Sequence, residues 1–197
     1  MLKSIDVLMV GVGGQGTILA SRVLAQAAQA AGYDIKVSEI HGMAQRGGSV
    51  VTQVRLGEKV YSPLIVKGGA DVLLAFEKLE ALRLLSYLKK NGVLIVNDQA
   101  IDPVPVLVGA AEYPPDIPEY LCNTVPGTLV FDATEIAGRC GTAKAANVVL
   151  LGAMARRLPI ERAIWEKALA ERVPAKLLDV NQAAFAAGYA LGGVHID

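Results

Sequence analysis

The stretch that most limits what this chain can become is Gly11-Val12-Gly13-Gly14-Gln15-Gly16. An apolar run, Ile5 to Val10, leads into it, and a helical run, Thr17 to Ala31, leaves it. Strand, glycine turn and helix start in that order make an anion site. Glycines remove the Cβ atoms that would hold a phosphate away from backbone N–H groups, and the first helical turn leaves N–H donors unpaired where the helix dipole favours negative charge. Gly11, Gly13 and Gly16 fit the dinucleotide spacing G-x-G-x-x-G, a pattern that is weakly specific by itself. A phosphate of a nucleotide-like ligand is the expected occupant, and a glycine turn that merely lets helix and sheet pack closely is the structural alternative.

The 197 residues suit one domain, 1–197, with a substantial core. Apolar residues make up 53% and the net charge is zero, so neither nucleic acid nor an anionic membrane surface is an expected partner. The mean hydropathy of +0.41 implies a sheet covered on both faces, or apolar surface hidden by a partner. No apolar stretch is long enough to span a bilayer, and the N-terminus does not read as a signal peptide, so a cytoplasmic protein is expected. Cys122 and Cys140 read as two reduced thiols.

Residues 3–10 read as a buried strand, and Ala20, Val23, Leu24, Ala27, Ala28 and Ala31 form a helical stripe that stops at Gly32. Residues 34–38 then complete a βαβ unit. A glycine-rich loop, His41 to Ser49, precedes a strand over 50–56, with Lys59–Tyr61 as a short returning strand. Arg46 in that loop suits a phosphate or carboxylate, because its planar fork donates two parallel bonds. No acid or nucleophile near His41 supports a catalytic role for it. A strand over 71–76, an amphipathic helix over 77–88 closed by Lys89, Lys90 and Asn91-Gly92, and a strand over 93–96 follow. Asn97-Asp98 sits where parallel sheets place ligand contacts. Residues 101–127 hold six of the nine prolines and read as irregular, with a short strand at 106–108. A strand over 128–131, a helix capped by Asp132, a helix over 144–158 that is apolar nearly all round, and helices opened by Pro159 and Pro174 complete the chain. The expected architecture is an α/β fold with three α/β/α layers and a mainly parallel, Rossmann-like sheet of about five or six strands.

Two motifs together carry a resemblance. The glycine turn is followed about thirty residues later by Gly42-Met-Ala-Gln-Arg-Gly-Gly48, a strand containing Val54-Arg55, and Ala70-Asp71-Val72-Leu73. Phe76-Glu77-Lys78-Leu79-Glu80-Ala81 and Asn147-Val-Val-Leu-Leu-Gly-Ala153 fit the same pattern. The chain resembles the gamma-type domain of 2-oxoacid:ferredoxin oxidoreductases, over about residues 4–190, and within that family the small beta subunit of the indolepyruvate type. The resemblance implies an accessory subunit of an enzyme that decarboxylates a 2-oxoacid oxidatively, makes an acyl-CoA and reduces ferredoxin. It also implies that thiamine diphosphate and [4Fe–4S] clusters reside on a larger partner subunit, and that this chain is inactive alone and carries no catalytic residue. The chain lacks a thiamine-binding motif, and its two cysteines cannot supply the four thiolates of such a cluster. Gly11, Gly13, Gly14, Gln15 and Gly16 would then face a phosphate of CoA. Gln45, Arg46, Gly47 and Gly48 would lie near CoA or the subunit junction. The competing reading is a self-contained NAD(P)-binding oxidoreductase with Glu39 as the ribose-binding acid, although no proton-transfer pair or second domain follows.

Overall fold

The computed structural model describes residues 2–42 and 48–193. Its sheet has six strands: β1 (Ile5–Val12), β2 (Asp34–His41), β3 (Ser49–Gly57), β4 (Ala70–Ala75), β5 (Leu88–Asn97) and β6 (Leu129–Phe131). Their spatial order is β2-β3-β1-β4-β5-β6. β1, β4, β5 and β6 are parallel neighbours, whereas β3 runs antiparallel to both β1 and β2. The sheet is therefore mainly parallel, with one strand opposed. The β1–helix–β2 unit exists, but β3 is inserted between its two strands.

Among the described residues there are eight α-helices: α1 (Thr17–Ala30), α2 (Lys78–Leu84), α3 (Val104–Leu107), α4 (Ile117–Thr124), α5 (Ala133–Arg139), α6 (Ala146–Ala155), α7 (Arg162–Arg172) and α8 (Leu178–Gly192). α1, α5, α6, α7 and α8 pack on one face, over Val7, Met9 and Leu74. α2 and α4 pack on the other, over Leu8, Val10 and Leu73. Neighbouring residues of one strand thus enter opposite cores, as the two-residue side-chain period requires. From Asn147 to Ala155 every residue of α6 is buried. A Cβ on Gly188 would lie 1.9 Å from the Val149 carbonyl oxygen, so α6 and α8 approach almost backbone to backbone.

Five expectations are corrected. Lys59–Tyr61 forms no strand, because β3 finds its partners in β1 and β2. The helix expected over 77–88 stops at Leu84, a 3-10 turn spans Leu85–Tyr87, and Leu88 already belongs to β5. Asn91, at φ 67°, and Gly92 lie in an irregularity of β5, where Ala70 pairs with Leu88 and Val72 with Val93, not at a helix end. The proline-rich segment contains helices α3 and α4 and no strand at 106–108. Pro105 and Pro118 fall in the first turns of these helices, where the missing N–H costs nothing. Last, α7 begins at Arg162, not at Pro159: Leu158 and Ile160 are both buried by an irregular approach to the helix.

Candidate functional site

The C-terminal ends of β1, β4, β5 and β6 converge around the glycine turn. Gly14 and Gly16 have φ values of 102° and 80°, in the left-handed region that glycine alone adopts freely. Gly16 also has no room for a side chain, since a Cβ there would lie 2.5 Å from Asn147 Nδ2. Asn147 uses that nitrogen to donate to the Gly16 carbonyl at 3.2 Å. α1 starts with no capping side chain and no acid in its first turn. Its leading N–H groups therefore keep their capacity for an anion.

Gln15 holds the turn in shape. Its Oε1 accepts from the Val12 N–H at 2.8 Å, and its Nε2 donates to the Phe76 carbonyl at 2.8 Å and to Gln99 Oε1 at 3.0 Å. Gly11 lies within β1, where a Cβ would come 2.8 Å from Gln15 Oε1 and 2.9 Å from the Phe76 Cβ. Gly11 thus clears space for the Gln15 amide. Asn97, 1% exposed, extends this amide network. Its Nδ2 donates to the Phe76 carbonyl and to Gln99, and its Oδ1 accepts from the Ala133 N–H at the start of α5.

Two clefts flank the turn. One, of about 480 Å³, is lined by Gly13, Gly14, Gly16, Thr17, His41 and Gly42 among others. The second, of about 180 Å³, is lined by Gln15, Asn97, Gln99, Thr134, Lys144 and Asn147 with Gly14 at its edge. Gly14 is the residue common to both, and its Cα faces open space. Gly48 is brought to the turn as well, since its carbonyl accepts from the Gly13 N–H at 2.9 Å. Gln45, Arg46 and Gly47 lie outside the described residues. Of the second loop, then, the structure places Gly48 beside the turn, and Ser49 beside Glu80, whose Oε2 accepts from Ser49 Oγ at 2.5 Å.

Beneath the turn, Glu77 is 1% exposed and caps α2 by accepting from the Glu80 N–H at 2.9 Å. It also accepts from the Ile101 N–H and the Tyr113 hydroxyl, and so fastens the proline-rich segment to the sheet. Burial, reinforced by the hydrogen bond and the charge of Glu77, pushes the Tyr113 phenol well above its ordinary value.

Asn147 was legible as a polar side chain inside an otherwise apolar helix. Gln99, Thr134 and Lys144 carry no local signal of their place in the cleft. Glu39 does not sit where a ribose-binding acid belongs. It pairs with Thr52, which pairs with Met9, so Glu39 is two strands, roughly 10 Å, from β1. Its Oε1 accepts from Ser21 Oγ at 2.9 Å, and His41 Nε2 lies 3.9 Å from its Oε2.

Residues 6–191 match the family described as pyruvate ferredoxin/flavodoxin oxidoreductase. The chain belongs to this family. It is 40% identical over 192 residues to the indolepyruvate oxidoreductase subunit IorB of Thermococcus kodakarensis, covering 95% of each chain. It is 30% identical over 151 residues to the ketoisovalerate oxidoreductase subunit VorA of Methanothermobacter thermautotrophicus, covering 76% of this chain but 28% of that one. The fold superposes on the gamma subunit of a keto/oxoacid ferredoxin oxidoreductase from Geobacter sulfurreducens with a TM-score of 0.71, at 28% identity, covering 95% and 98% of the two chains. The small-subunit character expected from the paired motifs is therefore borne out, as is the three-layer α/β fold. Among the described residues, no helix is long and apolar enough to cross a membrane.

Proposed function

We propose that this chain is the small accessory subunit of an indolepyruvate or other aryl-pyruvate ferredoxin oxidoreductase, and that its glycine turn receives a phosphate of coenzyme A. The observation that carries the ligand reading is the rigid turn itself. Gln15 and Asn147 lock it from behind, while Gly14 and the unpaired N–H groups of α1 border open clefts. A preformed donor set of this kind suits the phosphates of a nucleotide-like cofactor and offers no group for proton transfer to a substrate. Thiamine diphosphate and the [4Fe–4S] clusters belong to a larger partner subunit in this reading, since two cysteines cannot ligate a cluster. Ferredoxin is reached through the complex. The displacement of Glu39 by β3 counts against the NAD(P) alternative.

The test starts with tagged protein recovered without oxygen from its own cells, followed by titration of the recovered particle with CoA and with NAD(H). A complex that contains a larger chain, absorbs as an iron–sulfur protein and binds CoA meets the expectation. A colourless particle of this chain alone that binds NAD(H) overturns it.

A further inference from the structure

The two covered faces of the sheet differ in what they show to solvent. On the α2–α4 side, the segment joining β3 to β4 carries Tyr61, Leu64 and Val66 at 85%, 59% and 74% exposure. On the same side, α3 and the residue after it expose Val104, Leu107 and Val108 at 62%, 69% and 70%. The opposite side, under α1, α7 and α8, exposes Ile18, Val37 and Leu177 at no more than 41% each.

Both apolar displays are fastened by polar anchors. Gln53 Oε1 accepts from the Ile65 N–H at 2.6 Å, and Arg55 donates to the Ser62 and Leu64 carbonyls while pairing with Asp6 at 2.9 Å. Ile65 points into the core, so its two neighbours point out. On the second display, Glu77 holds Ile101 and Tyr113 at either end of the α3 segment. No charged residue occurs from Tyr61 to Val66 or from Pro103 to Ala111. A chain would not expose so much fixed apolar surface to water without a use for it.

We infer that this side of the molecule, with Leu64 and Leu107 at the centres of its two displays, is the seat of the larger subunit of the oxidoreductase. This inference rests on the subunit reading given above. The lack of charge matches a permanent, core-like interface and not a transient electron-transfer contact. Six large side chains exposed to this degree offer several hundred Å², a major part of the about 800 Å² per partner that a stable interface needs. The relative from Methanothermobacter supplies the occupant. There the matching region is 28% of a longer chain, so in that relative this fold is covalently joined to a larger body of sequence.

The test uses the complex recovered with a tag on the larger subunit. Leu64→Glu, Leu107→Glu and the control Leu177→Glu are compared for retention by that subunit and for thermal unfolding of the free chain. Loss of at least tenfold in affinity for Leu64→Glu and Leu107→Glu, with unfolding unchanged and Leu177→Glu retained fully, supports the assignment. Hydrogen-exchange protection of residues 60–66 and 103–111 on assembly is the second readout. Wild-type retention with undiminished binding of both variants, and no protection there, overturns the docking face while the subunit reading stands. Failure of the wild-type chain to associate with the larger subunit overturns both.

Discussion

Replacing Gln15 tests whether the glycine turn is a built device or a passive bend. Gln15→Ala removes three hydrogen bonds, and the Val12 N–H it leaves behind belongs to a residue that is only 6% exposed. The Phe76 carbonyl keeps its donor from Asn97, and the Gln99 amide can reorient, so the largest penalty falls on Val12. An intramolecular hydrogen bond contributes about 0.5–1.5 kcal/mol, and a buried unpaired donor costs about 1–3 kcal/mol. Together these give a loss of about 2–4 kcal/mol. For a chain of this size that is a fall in melting temperature of roughly 5–15 °C. Gln15→Met separates the causes, because it restores volume without polar atoms. If hydrogen bonding dominates, it should destabilise nearly as much as Ala. Urea unfolding with an unchanged m value is the assay. A loss below about 0.5 kcal/mol for both variants would refute the reasoning, since no reading of three such bonds yields so small a number. On the proposed CoA role of the turn, the same variants should also weaken CoA binding by the recovered complex.

Gly14→Ala and Gly16→Ala should part company. Both strain a left-handed backbone by about 1–2 kcal/mol, but only Gly16→Ala adds a clash with Asn147, so it should unfold at clearly lower urea, whereas Gly14→Ala should chiefly raise the CoA requirement of the complex. Tyr113→Phe leaves Glu77 without one donor and should cost about 1–3 kcal/mol by urea unfolding. Because the Tyr113 phenol titrates above its ordinary value of 10.0, its contribution is present below pH 10 and is lost as pH rises through the folded value. Tyr113→Phe should therefore flatten the alkaline loss of stability measured from pH 9 to 12. Thr52, fully buried, has an Oγ1 with no hydrogen-bond partner, so Thr52→Val should raise the unfolding free energy by about 1 kcal/mol in the same assay.

What the sequence disclosed divides along a physical line. Features set by local pattern were legible: the apolar runs of β1 and β4, the glycine stop of α1 at Gly32, the Asp132 cap on α5, and the all-round burial of α6. Features set by long-range pairing were not. Nothing in Asp34–His41 tells that its neighbour is β3 and not β1, because both arrangements use the same alternation. The apolar spacing of Leu85 and Leu88 extends the expected helix to 88, yet Leu88 is drawn into the ladder opposite Ala70. The density of prolines in 101–127 points to irregular backbone, yet Pro105 and Pro118 sit in first helical turns, where proline is compatible with a helix. At the site the motif located the turn; the resemblance counted Gln15 among the phosphate-facing residues, and the structure ties its amide to Val12, Phe76 and Gln99.

That inward Gln15 and the outward Leu64 come from one economy in the use of polar groups. This chain has few charges for its size, 19% against 53% apolar, and several of its polar side chains tie irregular backbone to the sheet. Gln15 and Asn97 fix the turn, Gln53 and Arg55 fix the segment over β3, and Glu77 fixes the segment carrying Tyr113. Each anchor satisfies loop N–H or carbonyl groups that would otherwise need water. The loops can therefore turn apolar side chains, or bare glycine backbone, toward whatever docks against them. A high mean hydropathy follows from this arrangement: the sheet is covered on both faces, and the polar side chains that fix its loops are turned inward.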